Sequence, residues 1–530
     1  MGDELEGRPK APKLFQNYIS FIGAAIALAA LASILLLSLI ELTGRATTPY
    51  VGIFAWVVLP SILLIGLGVI VVGMILERRR RRLSSDSELN FPVLDFNDPR
   101  RRRSLLVFIV LTFLFVCVSA FGSYRAFEHT ESVAFCGQTC HTVMKPEFVA
   151  FQNSPHARIR CVDCHVGEGA EWYLRSKFNG VHQLYAVTFG TYDKPIKTPV
   201  ENMRPARDTC AHCHWPEKYW GQQLKVFNRY GYDEKNSERQ IRMLINVGGG
   251  SPEAGPVKGI HWHMSLANEI TYIATDPQRQ SIPWVQAKDR DGNITTYVTS
   301  QNALTTQQIA TASKRVMDCI DCHNRPAHIY NPPDVAVDSA FAARKLDTSL
   351  PFLKRQAIEV LTKPYASNDE AVRSIGSGIG DFYRTNYSSL YAEKGGAIDS
   401  AIREIQRIYQ VNFFPEMKTD WQAHPNNIGH LRSSGCFRCH DGEHVSNDGR
   451  RIRNDCNICH TVLYDSAGPP QNYSRTGPFQ HPVDLGSLAD RKCETCHKGN
   501  KPFQHPLNLG DISMFQCVEC HHKEDQSEKR

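Results

Sequence analysis

The sequence predicts a mainly α, membrane-anchored chain: three transmembrane helices, then an exported part with little regular structure and a small β insertion. Three observations predict it. The first 124 residues hold three long apolar runs flanked by arginine clusters. Sixteen of the seventeen cysteines then fall in pairs, and every pair closes on Cys-His. The segments around those pairs lack long apolar periodic runs, so they cannot bury a conventional core and need a bound apolar group as filling.

The anchor comes first. Phe15 to Leu42, Val51 to Leu76 and Leu105 to Phe121 each have about the length a helix needs to cross a bilayer. Runs this apolar do not suit three buried helices of a soluble protein. The first is too long for a signal-peptide core, and no small-residue cleavage site follows it. Arg8, Lys10 and Lys13 precede the first run, and only Arg45 lies before the second. Arg78 to Arg82 follow the second, and Arg100 to Arg103 precede the third. Positive charge stays on the cytoplasmic side. The N-terminus and the 77–103 loop are therefore expected in the cytoplasm, and everything after residue 124 in the periplasm of a bacterial inner membrane. These clusters, rather than a basic surface, account for the net charge of +6. They give no reason to expect nucleic acid. Cys117, the unpaired cysteine, falls in the third run and reads as a small apolar packing residue.

The cysteine pairs carry the chemistry. Seven are C-x-x-C-H: Cys161, Cys164 and His165; Cys210, Cys213 and His214; Cys319, Cys322 and His323; Cys436, Cys439 and His440; Cys456, Cys459 and His460; Cys493, Cys496 and His497; Cys517, Cys520 and His521. The eighth, Cys136, Cys140 and His141 in CGQTCH, has one extra residue. This is the attachment signature of c-type haem, in which two thiols bind the porphyrin and the adjoining histidine reaches the iron. Zinc knuckles and disulfide frameworks have no need of a histidine after every second cysteine. Eight covalent haems c are expected, with porphyrin filling the exported part: a multihaem cytochrome c.

The motifs fall in two groups. Residues 125–330 hold the first four, with a β-rich insertion at about 241–300, where ITYIA alternates and DGN marks a turn before ITTYV. Residues 331–415 carry Ile402, Ile405, Ile408 and Tyr409 at helical spacing and read as a haem-free helical connector. Residues 416–530 hold the last four. PFQHPVDLG and PFQHPLNLG repeat before the last two motifs, and His481 and His505 stand at one offset from the cysteine that follows. His424 stands at that same offset before Cys436.

Of 21 histidines, thirteen lie outside the motifs. That supply can put a second imidazole on nearly every iron, and a bis-histidine iron moves electrons because it has no open position. By proximity, His261 or His263 serves a haem of the first group, and His430 and His444 serve haems of the second.

From Phe135 to His328 the chain resembles the NapC/NirT family of membrane-anchored multihaem quinol dehydrogenases. An apolar span running directly into the first motif, CHTVMKPEF with Met144, SPHARIRCVDCH and CIDCHNRPAH carry the resemblance. It implies that His156 and His328 are distal ligands of neighbouring haems and that Met144 is an axial ligand of the first. It also implies that Lys177 lines a quinol pocket, although a lysine there can instead snorkel to lipid headgroups. The acidic residue that the family places beyond this lysine falls near Leu184, and His182 is the available proton acceptor. The extra spans and second tetrahaem group resemble larger inner-membrane cytochromes of bacteria that respire with extracellular or periplasmic acceptors.

The expected function is oxidation of menaquinol or another quinol of the membrane pool, with electrons passing along periplasmic haems to a periplasmic or outer-membrane acceptor protein. A membrane partner subunit has room on the haem-free spans. The rival readings are a conduit fed by such a subunit and a terminal reductase of nitrite, hydroxylamine or a sulfur oxyanion.

Overall fold

The computed structural model describes residues 17–42, 59–83, 99–139, 141–167, 169–200, 204–215, 221–248, 259–265, 268–300 and 302–466. The chain forms two units, residues 1–136 with 166–179 and residues 137–165 with 180–530.

In the first unit, α1 (Tyr18–Leu42), α2 (Leu59–Leu83) and α3 (Pro99–Thr130) are long helices. Tyr18–Leu37 and Leu59–Arg80 are long and apolar enough to cross a membrane. α1 and α2 run antiparallel with their backbones in contact. A Cβ on Gly23 would meet the Gly66 carbonyl oxygen at 2.7 Å, and one on Gly66 would meet the Ala27 nitrogen at 2.7 Å. Small residues at a crossing allow this approach in lipid, where helix association relies on close packing. The Ser20 hydroxyl adds a hydrogen bond to the Ile70 carbonyl, 3.1 Å away. The third apolar run lies within α3, a single helix of 32 residues.

The second unit begins at the first cysteine motif, where Phe135–Thr139 form a π turn. A π turn holds one residue more than an α turn, and this is how the chain absorbs the extra residue of CGQTCH. α4 (His141–Gln152), α5 (Cys161–His165), α6 (Ala170–Phe189) and α7 (Ala206–Cys210) follow, with the boundary between the units falling inside α6.

Two antiparallel sheets come next. One has the order β1 (Gln223–Tyr230), β2 (Glu238–Ile245), β8 (His460–Asp465). The other has the order β6 (Arg315–Val316), β3 (Glu269–Ile273), β4 (Trp284–Lys288), β5 (Ile294–Thr299), β7 (His444–Ser446). The DGN segment makes the turn between β4 and β5. Gly292 adopts φ 84°, and the Asp289 carboxylate accepts from the backbone nitrogens of Asp291 and Asn293 at 2.9 and 2.8 Å.

The sheets exceed the expected insertion at both ends. β1 starts before residue 241, and β7 and β8 come from the segments that follow the Cys436 and Cys456 motifs. Strands of three to six residues, paired with partners far away in the chain, leave no periodic signal of their own. Through β5–β7 and β2–β8, residues of the two motif groups share both sheets.

Short helices α8 (Thr306–Thr311) and α9 (Cys319–Cys322) lead to four helices, α10 (Pro333–Ala342), α11 (Leu353–Thr362), α12 (Asn368–Asn386) and α13 (Ser388–Asn412). Here the chain does build an aliphatic core. Ala371, Ile375, Ile379 and Tyr383 of α12 and Ile398, Ala401, Ile405 and Ile408 of α13 repeat every three to four residues and are buried together. Ser367 caps α12 by accepting from the Glu370 nitrogen. Beneath this core, Lys354 is fully buried, with its ammonium 2.7 Å from the Asp338 carboxylate.

Candidate haem-binding site

The cysteine motifs at Cys210, Cys319 and Cys436 fold locally as single turns. The backbone nitrogens of His214, His323 and His440 donate to the carbonyls of Cys210, Cys319 and Cys436 at 2.8, 2.8 and 3.0 Å. Such a turn brings two thiols and an imidazole close together in the chain. Among the described residues the cysteines are free thiols, and no group of three His, Cys, Asp or Glu side chains converges as a zinc site requires.

The histidines converge in twos. All five motif histidines with described side chains face a second histidine from elsewhere in the chain. His165 faces His328 with ring centroids 6.1 Å apart, and His214 faces His156 at 6.0 Å. His323 faces His261 at 6.4 Å and His440 faces His263 at 5.8 Å. His460 faces His430 at 6.1 Å. Two imidazoles on opposite sides of one metal, each bonded through a nitrogen at about 2 Å, hold their centroids about 6 Å apart. The residues present therefore fit a haem iron: each pair of histidines would hold the metal, and the cysteines of the motif would attach the porphyrin.

Four of the five partner rings are aimed by their other nitrogen. Nδ1 of His156 is 3.1 Å from the Pro326 carbonyl and Nδ1 of His328 is 2.9 Å from that of Glu147. Nδ1 of His261 is 3.1 Å from the Val247 carbonyl and Nδ1 of His263 is 2.8 Å from that of Ile260. An imidazole that donates from Nδ1 presents a lone pair at Nε2, the arrangement that orients histidine ligands. Burial lowers the pKa values of His165, His261, His263, His323, His440 and His460 and pushes that of His328 down to about 4. These rings are neutral at neutral pH, as ligation demands. The aiming carbonyls belong to residues with no sequence signature, and no motif pointed to them.

Two expected ligands make other contacts among the described residues, although Nε2 of His424 is buried with no hydrogen-bond partner there. His444 is buried with both nitrogens engaged: Nδ1 is 2.9 Å from Asp441 Oδ1 and Nε2 is 2.7 Å from the Ile282 carbonyl. Among the described residues it faces no motif histidine, and it pins β7 to the sheet. His424 stacks on Tyr330 at 5.9 Å, with Nδ1 3.2 Å from Thr198 Oγ1. Burial pushes its pKa down to about 3.

Met144 is half-buried on α4, three residues after His141. Lys177 and His182 both lie on α6, and His182 is exposed. The side chains of His141, Lys177 and Cys456 lie outside the described residues, as do Cys140, His481, Cys493, Cys496, His497, His505, Cys517, Cys520 and His521.

Residues 98–205 match the NapC/NirT cytochrome c family, N-terminal region. The chain is also 42% identical over 483 residues to the cytochrome c-type protein ImcH of Geobacter sulfurreducens, covering 91% of this chain and 95% of that protein. The chain belongs to the NapC/NirT cytochrome c family. Membership makes it a membrane-anchored multihaem cytochrome of quinol-linked electron transfer, with covalently bound haem c. No solved structure matches this NapC/NirT cytochrome.

Proposed function

We propose that this cytochrome oxidises menaquinol at the periplasmic face of the inner membrane and delivers the electrons to a periplasmic or outer-membrane acceptor protein. Eight covalent haems carry them, and three transmembrane helices anchor the chain with its N-terminus in the cytoplasm. The observation that carries the reading is the set of five facing histidine pairs. An iron closed by two imidazoles has no position for substrate, which favours a wire over a terminal reductase.

The family relationship and the composition of α6 support quinol as the donor. Phe178, Val181, Tyr185 and Phe189, spaced along one stripe of α6, are all more than half exposed. Such a stripe suits the bilayer interface, and Lys177 is on the same helix. Quinol releases two electrons and two protons. Lys177 holds a quinol oxygen, where its charge favours the anion formed as a proton leaves; His182 takes that proton and water takes the second. The haems supply one-electron acceptors in series.

The test is optical. In liposomes, a menaquinol analogue should reduce the haems of the purified protein at a rate that a quinol-site inhibitor suppresses. Reduction by dithionite but not by any quinol analogue would make the protein a conduit fed by another membrane subunit.

A further inference from the structure

The first and second motif groups must exchange electrons somewhere, and one tripeptide touches both. Ile260–Met264 form a 3₁₀ turn that contains His261, Trp262 and His263. With three residues per turn, side chains two apart point in different directions. His261 accordingly faces His323 of the Cys319 motif, and His263 faces His440 of the Cys436 motif. Trp262 packs edge-on against His263 with centroids 5.7 Å apart.

The turn is fixed in place. The Ile260 nitrogen donates to the Asn246 carbonyl at 2.9 Å and the His261 nitrogen to that of Val247 at 3.2 Å. Gly259 adopts φ 79°, and a Cβ there would meet the Asn246 oxygen at 2.4 Å. Asn246 also reaches forward, donating from its backbone nitrogen to Cys459 and from its side chain to Asn457 at 2.8 and 2.7 Å.

The same two motifs are joined on their cysteine sides. Arg438, between the cysteines of CFRCH, donates to the Asp321 carbonyl at 2.6 Å and to the Arg279 carbonyl at 2.9 Å. Asp321 lies between the cysteines of CIDCH. Its buried carboxylate accepts from Tyr272, Arg279 and Arg315 at 2.7, 3.0 and 2.9 Å. The Asn427 amide donates to the same Asp321 carbonyl at 3.2 Å.

We propose that His261 and His263 are the distal ligands of the haems on Cys319 and Cys436, and that Arg438 holds those two motifs together. This pair is then the crossing between the two haem groups. Arg438 acts as a positioning residue. The inference rests on the facing rings being haem ligands, and it stands whether or not quinol is the donor.

Three variants of the full-length membrane protein test it. His263→Ala should keep the wild-type haem count by mass and convert one low-spin iron to high-spin in electron paramagnetic resonance. His263→Met, which keeps a ligand and guards against misfolding, should keep that iron low-spin, raise one haem potential and add a sulfur–iron charge-transfer band. His444→Ala should change none of these signals. In Arg438→Ala the spin states should stay as in wild type. Reduction from the membrane side, by quinol or by whichever membrane donor serves, should become biphasic, its second half slowed at least ten-fold, while dithionite reduces every haem. An unchanged spectrum in both His263 variants, a high-spin iron in His444→Ala, or monophasic reduction in Arg438→Ala would overturn the proposal. Absence of quinol reduction in the wild type, with the His263 signatures present, would count against the quinol reading alone.

Discussion

The imidazoles of His165 and His328 face each other with ring centroids 6.1 Å apart, although they come from opposite ends of the first motif group. His328 is aimed by the Glu147 carbonyl at 2.9 Å, and the Arg325 guanidinium donates to the His328 carbonyl at 2.9 Å. His328→Ala should leave the number of covalent haems unchanged, because the Cys161 motif is untouched. One iron should lose its low-spin signature. Imidazole added from solution should restore it, since the vacated space matches a free imidazole. A variant with all irons still low-spin would place the ligand elsewhere.

Lys354 and Asp338 give a stability prediction. Lys354 is fully buried and Asp338 is 2% exposed, and the Lys354 ammonium also donates to the Tyr230 carbonyl. Breaking one side of such a pair costs about 3–5 kcal/mol, here reduced by the Arg229 guanidinium, which stays 3.4 Å from the Asp338 carboxylate. Lys354→Met should therefore lower the denaturant midpoint of the detergent-solubilised protein markedly. A double Lys354→Met, Asp338→Leu variant should recover most of the loss.

The same pair sets a pH dependence. Burial raises the pKa of Asp338, and Lys354 opposes that rise. Without the lysine, the folded-state pKa climbs further above its unfolded value, so the folded state holds the extra proton between the two. Stability then falls as pH rises through the folded pKa. The deficit of Lys354→Met should be smaller at about pH 5 than at about pH 7. An equal deficit at both values would mean that Asp338 is not the stranded charge.

Quinol entry is tested at Lys177. Lys177→Ala removes one charged hydrogen bond, about 1.5–3 kcal/mol, and should slow reduction by menaquinol analogues roughly ten- to hundred-fold. Dithionite needs no pocket and should reduce the variant at the wild-type rate. Equal loss of both reductions would make Lys177 structural.

Topology is tested by reporters. A periplasm-only reporter fused after Tyr124 should be active, and one inserted at 84–98 should be silent, as the arginine runs on either side of that loop require. The reverse result would move the haem motifs to the wrong side for periplasmic electron transfer.

The local chemistry was legible in the sequence, and the long-range geometry was not. The described C-x-x-C-H motifs form their own turns, and a π turn that no sequence pattern predicted lies over Phe135–Thr139 in the longer motif. Ile405, Ile408 and Tyr409 announce the core face of α13. The histidine partners are different, because a ring is recruited by where its backbone lies. His444 stands four residues after His440 and looks like a ligand, yet Asp441 and the Ile282 carbonyl occupy both its nitrogens. His263 lies far from His440 in the chain and faces it, because Asn246 and Gly259 fix the turn that presents it. The division at residues 331–415 likewise gave no hint that β7 and β8 run back into sheets begun before it.

The central claim is that facing imidazoles are axial pairs on haem iron. Near-infrared magnetic circular dichroism of the oxidised protein tests it most directly, since bis-imidazole, imidazole–methionine and five-coordinate irons give distinct bands. Low-spin bis-imidazole iron should account for at least the five haems on Cys161, Cys210, Cys319, Cys436 and Cys456. Fewer than five such irons in the intact protein would contradict the account.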